Sequence, residues 1–244
     1  MAELVLKNTK IYFKGYDMSG QMNNVSLTIN SELLDKTVFG SSFRKRKHGL
    51  KSLELTGSGF WDASTGNNMP DDILQPEVGS STEEIMTVNP EGSVGSLAVL
   101  TKGIIASYSP GGSVGELMGF DFAGQSYGVA AKGKMVRNTT ISGNGNSTII
   151  SLDRSSNTRK LYAAMHVITD TTDGAQYQSV SIQVADSSDF ASNVSSHLQF
   201  GTTIDNNDAG TAQWASTVAS TDQYYRLRWV GNSSAKIAVA IGIF

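Results

Sequence analysis

Residues 177–185 read YQSVSIQVA, and apolar and polar side chains alternate along the stretch. Val180, Ile182 and Val184 are separated by serine and glutamine. The period is two rather than the 3.6 of a helix. Because a strand turns successive side chains to opposite faces of its sheet, the pattern predicts a half-buried β-strand whose branched residues face a core.

The same alternation recurs outward from this stretch, most clearly in residues 223–230 (QYYRLRWV) and 235–244 (AKIAVAIGIF). Four further segments show weaker versions of it: Asn24–Asn30, Leu50–Trp61, Leu117–Phe122 and Leu161–Ile168. Clusters of glycine, asparagine, aspartate and proline separate these segments and mark turns. Many short strands at this spacing indicate a β-sandwich or a barrel.

Helix is expected in only two short pieces, Pro70–Gln75 and Thr82–Met86, the second because Thr82 precedes two glutamates. The most polar, glycine-rich stretch between apolar runs is Ser142–Ser147 (SGNGNS), which predicts a domain boundary between residues 1–141 and 142–244. The predicted fold is therefore mainly β, a β-sandwich or barrel domain followed by a second β-sandwich domain, with at most one or two short helices.

The composition agrees with a β-rich structural protein. The chain has 244 residues, of which 39% are hydrophobic and only 17% charged, with 25 glycines and no cysteine. The apolar fraction is sufficient for a buried core, and the missing cysteines exclude disulfides, thiolate metal sites and a cysteine nucleophile. A net charge of −3 argues against a protein that coats nucleic acid.

Neither a targeting segment nor a membrane anchor is expected. Residues 1–13, MAELVLKNTKIYF, have no basic region followed by an apolar one, as a secretory signal would. No run approaches the roughly 20 apolar residues that span a bilayer. These features predict a protein of the cytoplasm or of a particle assembled there.

Charge is segregated between two neighbouring segments. Six cations lie between positions 36 and 51: Lys36, Arg44, Lys45, Arg46, Lys47 and Lys51. Eight carboxylates and no cation lie between positions 52 and 101: Glu54, Asp62, Asp71, Asp72, Glu77, Glu83, Glu84 and Glu91. The pattern suits self-association, in which the basic segment of one copy meets the acidic segment of the next. Pairing within one copy, or simple solvation, explains it equally well.

Catalytic and metal-binding constellations are not predicted. His48, His166 and His197 are far apart in sequence, and Ser58 lacks the strand-to-helix context of a nucleophile elbow. His166 is expected to make a polar contact on a strand rather than to act in catalysis. Asp205–Asp208 resembles a calcium loop only in composition, so a turn is expected. No Walker motif is present. The chain is predicted not to be an enzyme and to need no cofactor.

Residues 24–62 read NVSLTINSELLDKTVFGSSFRKRKHGLKSLELTGSGFWD. The recognisable motifs in this stretch are Val25–Leu27, Leu34–Gly40, Gly49–Leu50 and Gly57–Asp62. Their order resembles the N-terminal part of tail tube (major tail) proteins of tailed bacteriophages. Tyr108–Leu117 looks like the glycine-rich turn before a tube-forming strand of that family. Three C-terminal segments look like the second β-domain of some members: Gln213–Trp214, Tyr225–Trp229 and Ile237–Ile243.

The resemblance implies a virion protein, assembled in the host bacterial cytoplasm, that polymerises as stacked rings into a tail tube. DNA would only pass through the lumen during ejection, and no membrane contact is implied. The expected partners are further copies of the chain, the tape-measure protein and the tail-tip and terminator proteins. The ring would be a hexamer, with residues 142–244 as an outer decoration domain. A pseudo-six-fold trimer, with residues 142–244 as a second tube domain, is the alternative.

Three sets of residues are predicted to act in assembly. An inter-subunit or inter-ring contact loop comprises Leu34, Asp35, Thr37, Phe39, Gly40, Arg44, Lys45, Arg46 and Lys47. Its acidic partner segment comprises Asp71, Asp72, Glu77, Glu83 and Glu84. The strands of the tube wall are represented by Gly103, Ile105, Ser107, Glu116, Met118 and Phe120.

A carbohydrate-binding or adhesin-like β-sandwich module of a phage particle is the alternative function. Five aromatic residues suggest it, because such rings can stack on sugars: Trp61, Trp214, Tyr224, Tyr225 and Trp229. Aromatic residues in alternating strands usually belong to a core, and Trp229 shares a face with Tyr225 and Leu227. An exposed Trp214 would favour sugar binding.

Overall fold

The fold is known from a computed structural model, which describes residues 7–61, 69–126, 128–152, 159–169, 177–201, 204–205, 208–232 and 234–244. The predicted mainly β fold is confirmed. One α-helix of five residues, α1 (Pro70–Leu74), and a 3-10 turn at Gln75–Glu77 are the helical segments in the described part of the chain. None of the helices described there has the length and apolar character needed to cross a membrane.

The strands carry the rest of the regular structure. In chain order they are β1 (Lys10–Phe13), β2 (Tyr16–Asp17), β3 (Met22–Asp35), β4 (Arg46–Phe60), β5 (Glu84–Asn89), β6 (Leu97–Gly111), β7 (Gly119–Ser126), β8 (Ala130–Arg137), β9 (Thr140–Ser142), β10 (Gly145–Asn146), β11 (Ile150–Ser151), β12 (Lys160–Thr169), β13 (Tyr177–Ala185), β14 (Ser195–Gln199), β15 (Thr211–Val218), β16 (Tyr224–Gly231) and β17 (Ser234–Ile243).

The chain forms two compact units, each assembled from separate stretches of sequence. Unit 1 comprises residues 1–20, 84–102 and 130–244, and unit 2 comprises residues 21–83 and 103–129. This division differs from the predicted one, because residue 142 lies inside unit 1. The glycine-rich stretch there joins neighbouring strands: β9 pairs with β17, and β10 pairs with β16.

Unit 1 contains two antiparallel sheets. The larger follows the order β15-β12-β17-β8-β6-β5-β1-β2, with β9 also paired to β17. The smaller follows the order β10-β16-β13-β14, with β11 also paired to β16. Strands that are neighbours in these sheets are often far apart in sequence, so most of unit 1 depends on long-range pairing.

The core of unit 1 joins these two sheets in a sandwich. Val180, Ile182 and Val184 are fully buried, as the alternation in residues 177–185 predicts. They belong to one apolar cluster with alternate residues of β16, and with β12 and β17 of the larger sheet. Burial of each such side chain stabilises the fold by about 1.5–3 kcal/mol.

Strand β17 is buried on both faces, whereas the sequence predicts burial of one. The face of β17 that carries isoleucine and valine packs in the sandwich core. On the other face Ala238 and Ala240 are also fully buried, and Ala238 pairs with His166 of β12. The His166 ring lies 5.7 Å from the ring of Tyr12. Strand β1 thus covers the second face, which small alanines allow.

The prediction of a helix at Thr82–Met86 is wrong. Residues from Glu84 onwards form β5, which pairs antiparallel with β1 so that Ile85 and Met86 are buried. Tertiary pairing overrides the weak helix preference of two glutamates. The other predicted helix, Pro70–Gln75, coincides with α1, where a proline opens the first turn.

Unit 2 is built on a long antiparallel hairpin of β3 and β4. Their pairing runs from Met22 opposite Gly59 to Asp35 opposite Arg46, with two register shifts. Strand β7 pairs with β4, and residues 104–111 of β6 pair with β7. The sheet order is therefore β3-β4-β7-β6, and β3 forms an edge that pairs only with β4 among the described strands.

Candidate functional site

One face of the unit 2 sheet is polar and solvent-exposed. On β4, Leu53 and Leu55 are buried, while Glu54 and Thr56, which alternate with them, are exposed. Cross-strand pairing extends this second face over all four strands. Its residues are Asn24, Ser26, Thr28, Asn30, Ser52, Glu54, Thr56, Ser58, Ile104, Ser107, Ser109, Asp121, Ala123 and Gln125. We call this set the acidic face, because it carries two carboxylates and no cation.

The opposite face of this sheet is closed by two phenylalanines of β7. Phe120 and Phe122 are almost fully buried. They occupy the space above Gly59 and Gly57: a Cβ atom at Gly59 would lie 2.8 Å from the Phe120 ring, and one at Gly57 would collide with Phe122. The Gly-x-Gly motif of the sequence is therefore a packing requirement, because a side chain at either glycine would collide with a ring.

The far end of the β3–β4 hairpin exposes an unusual amount of apolar surface. Seven large apolar side chains there are exposed: Ile29, Leu33, Leu34, Val38, Phe39, Phe43 and Leu50. We call this set the hairpin patch. Phe39 is completely exposed. Contiguous apolar surface of this kind marks interaction sites in soluble proteins.

The turn that ends the hairpin is held by its own hydrogen bonds. The Thr37 backbone N–H donates to Asp35 Oδ1 at 2.8 Å, and Lys45 N–H donates to Thr37 Oγ1 at 3.0 Å. The hydrogen bond from the Thr37 side chain and that from its backbone lower the pKa of Asp35, and Arg46 contributes to the same shift. Gly40, at φ 84°, occupies the left-handed region that favours glycine.

All nine predicted contact-loop residues lie at this end of the hairpin. Leu34 and Asp35 close β3, Arg46 and Lys47 open β4, and the other residues lie in the turn between them. Sequence reasoning missed most of the hairpin patch, including Val38 and Phe43. Its apolar residues occur on both faces of the strands, so they break the alternation that signals a one-sided core.

The predicted acidic segment does not form one accessible patch. Glu77 is buried, and the Glu84 carboxylate lies 3.5 Å from Lys14 Nζ in unit 1. Asp71 faces the hydroxyl of Tyr108, where burial and this carboxylate together raise the tyrosine pKa. Asp72, in the first turn of α1, is exposed. Part of the acidic segment therefore makes contacts within its own chain.

The predicted wall residues divide between buried and exposed positions. Ile105 and Phe120 are buried beneath the sheet. A register shift between Ile105 and Ser107 places Ser107 on the acidic face. Gly103, also on β6, is half-buried. The other two residues, Glu116 and Met118, precede β7: Glu116 N–H donates to Ser113 O in a turn, and Met118 O accepts a hydrogen bond from Trp61 N–H at 2.9 Å.

His166 makes the polar contact predicted for it. Its ring is fully buried in unit 1, where Nδ1 accepts a hydrogen bond from Gly15 N–H at 3.2 Å. Nε2 lies 2.9 Å from Thr87 Oγ1. An Nδ1 acceptor requires the neutral ring, with the proton on Nε2. Burial lowers the pKa of His166 to about 3.

The aromatic residues suggested for sugar stacking do not form a platform. Tyr225 and Trp229 lie in the sandwich core. Trp214 is half-buried, with its ring 5.6 Å from the ring of Tyr162. Trp61 is half-buried as well, and the adjacent Asp62 lies outside the described residues.

No metal site is seen in the described ranges, where no three histidine or acidic side chains cluster suitably. The aspartates of the predicted turn at 205–208 bond locally: Asp205 N–H donates to Asp208 Oδ2 at 2.7 Å. The intervening residues 206 and 207 lie outside the described part of the chain.

Comparison with known proteins finds similarity only among solved structures. No family model and no curated protein matches the chain. One similar structure is the virion of a native gene transfer agent particle, at 17% identity and a TM-score of 0.41, covering 53% of this chain and 98% of that one.

Two other similar structures come from phages. The first is the crystal structure of the SPP1 Dit protein, described as a hub adsorption apparatus of phages that infect Gram-positive bacteria. It has 12% identity and a TM-score of 0.39, covering 98% of this chain and 100% of that one. The second, the phage p2 baseplate, has 9% identity and a TM-score of 0.33, covering 91% and 97%.

Proposed function

We propose that this chain is a structural virion protein that polymerises as stacked rings into a phage tail tube. The acidic face of unit 2 is the observation that carries the proposal. A conduit for DNA must not bind phosphates, and lysine or arginine contacts to phosphates are the main source of non-specific DNA affinity. A polar sheet face with two carboxylates and no cation suits the lumen wall.

The edge of the same sheet supports self-association. Strand β3 has 14 residues and one partner, β4, among the described strands. A long edge with unpaired backbone groups is a template for pairing with another chain. In a ring, the β3 edge of one copy pairs with the sheet of the next copy, and the sheets join into one barrel.

The hairpin patch supplies the second contact. Its apolar side chains gain about 25 cal/mol for each Å² that a neighbouring copy removes from water. The adjacent cations set the register of docking rather than its strength. We place this end of the hairpin against a neighbouring subunit or ring, with assembly in the host cytoplasm together with tape-measure, tail-tip and terminator proteins.

Electron microscopy of the concentrated protein tests the assembly directly. Hollow tubes or stacked rings are expected, and class averages distinguish a six-fold ring from a three-fold one. Phe39→Asp combined with Phe43→Asp should abolish tubes while leaving a folded, smaller particle in light scattering. Val218→Asp, which alters an exposed valine of unit 1, is the matched control and should still form tubes. Normal tubes from the double variant would remove the hairpin patch from the mechanism.

A charge reversal tests whether the acidic face lines the lumen. Asp121→Lys tubes should retain short duplex DNA that nuclease cannot reach, whereas wild-type tubes should not. Asp72→Lys places the same charge on exposed α1 of the same unit and should leave any bound DNA open to nuclease. Equal nuclease sensitivity in the two variants would show that the acidic face lies elsewhere than in the lumen.

A further inference from the structure

The smaller sheet of unit 1 turns two arginines to its outer face. Tyr225, Leu227 and Trp229 of β16 point into the core, so Arg226 and Arg228 point outward by the alternation of the strand. Two residues of extended strand separate them by about 7 Å. Each makes no ion pair with any described residue.

Arg226 is fixed in one orientation by two neighbours. Its Nε donates to Gln183 Oε1 at 2.9 Å, and Gln183 lies directly opposite it on β13. The guanidinium carbon lies 4.3 Å from the centre of the Phe190 ring. These contacts use Nε and one face of the group. Its terminal nitrogens remain available as a fork for an oxyanion, which is the geometry that arginine recognises best.

Among the residues that the structure describes, neither arginine of this face has an ion-pair partner. Burial, together with the charge of Arg228, lowers the pKa of Arg226. The carboxylates of Asp186 and Asp189 in the neighbouring loop accept hydrogen bonds from their own segment and make no ion pair with the arginines. Asn193 Nδ2 donates to Asp186 Oδ2 at 2.8 Å, and Ser187 Oγ donates to Asp189 Oδ1 at 2.7 Å. Two like charges held close together, without an ion-pair partner among the described residues, favour binding of an anion.

The loop that positions the Phe190 ring is strained. Phe190 has φ 54° and Asn193 has φ 52°, in the left-handed region that a bulky side chain rarely adopts. Such strain persists where the surroundings fix the conformation. Here it holds a buried ring beneath Arg226, and strain of this kind clusters at ligand sites.

Neutral hydrogen-bonding groups surround the arginine pair. Ser181 pairs with Arg228 across β13 and β16, Gln199 pairs with Ser181 on β14, and Asn146 pairs with Arg228 on β10. Amide and hydroxyl side chains both donate and accept, as sugar hydroxyls do. We propose that this face binds an anionic saccharide, whose acid group contacts Arg226 and Arg228 and whose hydroxyls contact the flanking amides.

This binding role is independent of tube formation, since all its residues belong to unit 1. Ligand-observed saturation-transfer NMR on the full chain tests it, with glucuronate as the carboxylate probe, glucose 1-phosphate as the phosphate probe, and glucose and acetate as partial probes. At constant ionic strength, at least one acidic sugar should bind saturably and at least tenfold more tightly than glucose and acetate. The tighter acidic sugar identifies the acid group.

Variants locate the binding to this face. Arg228→Gln changes an exposed side chain and should weaken binding at least tenfold with the melting temperature unchanged. Arg226→Gln should weaken it at least as much. Lys160→Gln removes the same charge from an exposed site of unit 1 and should change affinity less than twofold. Equal losses in Arg228→Gln and Lys160→Gln, acetate binding as tightly as the sugars, or no saturable binding would each overturn the proposal.

Discussion

The sandwich of unit 1 buries its apolar side chains, whereas the end of the unit 2 hairpin exposes them. Leu227 of β16 is fully buried between two sheets, whereas Leu50 of β4 is 83% exposed. The sandwich is complete in a single chain, because its two sheets cover each other. The hairpin leaves its apolar surface exposed to water, and the assembly proposed above would cover it. If the proposed assembly is correct, the comparison separates residues that specify the fold from residues that specify the assembly.

The largest effect should follow removal of the C-terminal strands. A chain that ends at Ser142 lacks β12 and β17, the two strands next to each other in the larger sheet of unit 1, as well as the whole of β16. We expect complete loss of the unit 1 fold, measured as lost chemical-shift dispersion for residues 84–102. A chain shortened in this way that kept the dispersion would show that the first 142 residues fold alone, as the predicted domain division requires.

A single core truncation should cost less but remain large. Leu227→Ala leaves a cavity in the sandwich and should lower the free energy of unfolding by about 3 kcal/mol. Denaturant titration, monitored by circular dichroism, gives this value. A loss under about 1 kcal/mol would mean that this core is loosely packed or able to collapse.

Acidification should destabilise the protein through His166. Its pKa is about 3 in the folded state and about 6.5 when unfolded, so below pH 6.5 only the unfolded state takes up the proton. Stability should fall by about 2 kcal/mol between pH 7 and pH 5, and continue falling towards pH 3. His166→Gln has no such proton to bind. Its unfolding free energy, measured at both pH values, should therefore change less, and an equal change would exclude His166 as the cause.

The smallest effect on stability should come from the hairpin patch. Leu50→Ala removes an exposed side chain and should change the free energy of unfolding by less than about 0.5 kcal/mol. Leu50→Ala and Leu227→Ala make the same chemical change, the first at an exposed position and the second at a buried one. Sedimentation of assembled material supplies the second readout, since Leu50→Ala should shift assembly to higher protein concentration. A large loss of stability instead would place Leu50 in a core of the single chain.

Alternation in the sequence predicted the sandwich well. Strand β13 has the bounds that the pattern indicates, and the outward or inward direction of each β16 residue follows from it. Local pattern suffices here because each strand has one covered and one open face. It fails at β17, where alanines are buried as deeply as isoleucines, and at β5, where pairing with β1 replaces the expected helix.

The candidate sites were less predictable, for identifiable reasons. The wall residues could not be assigned from parity alone, because a register shift after Ile105 moves Ser107 to the opposite face. The arginine face depends on a contact between Arg226 and Gln183, which are 43 positions apart. It also depends on the φ angle of Phe190, which no residue preference predicts. Both the contact and the φ angle are set by the tertiary structure.

Unit 1 is built from stretches of sequence that unit 2 interrupts, so its strands are synthesised at different times. Strand β17 lies between β12 and β8 in the larger sheet, yet it is translated after every other strand described. At ribosomal rates of about 5–20 residues per second, roughly 10 to 40 s separate synthesis of β4 from synthesis of β17. The hairpin patch therefore emerges in the cell well before the sheet of unit 1 can close. Each new chain passes through a period in which its exposed apolar hairpin is already made and its sandwich is not.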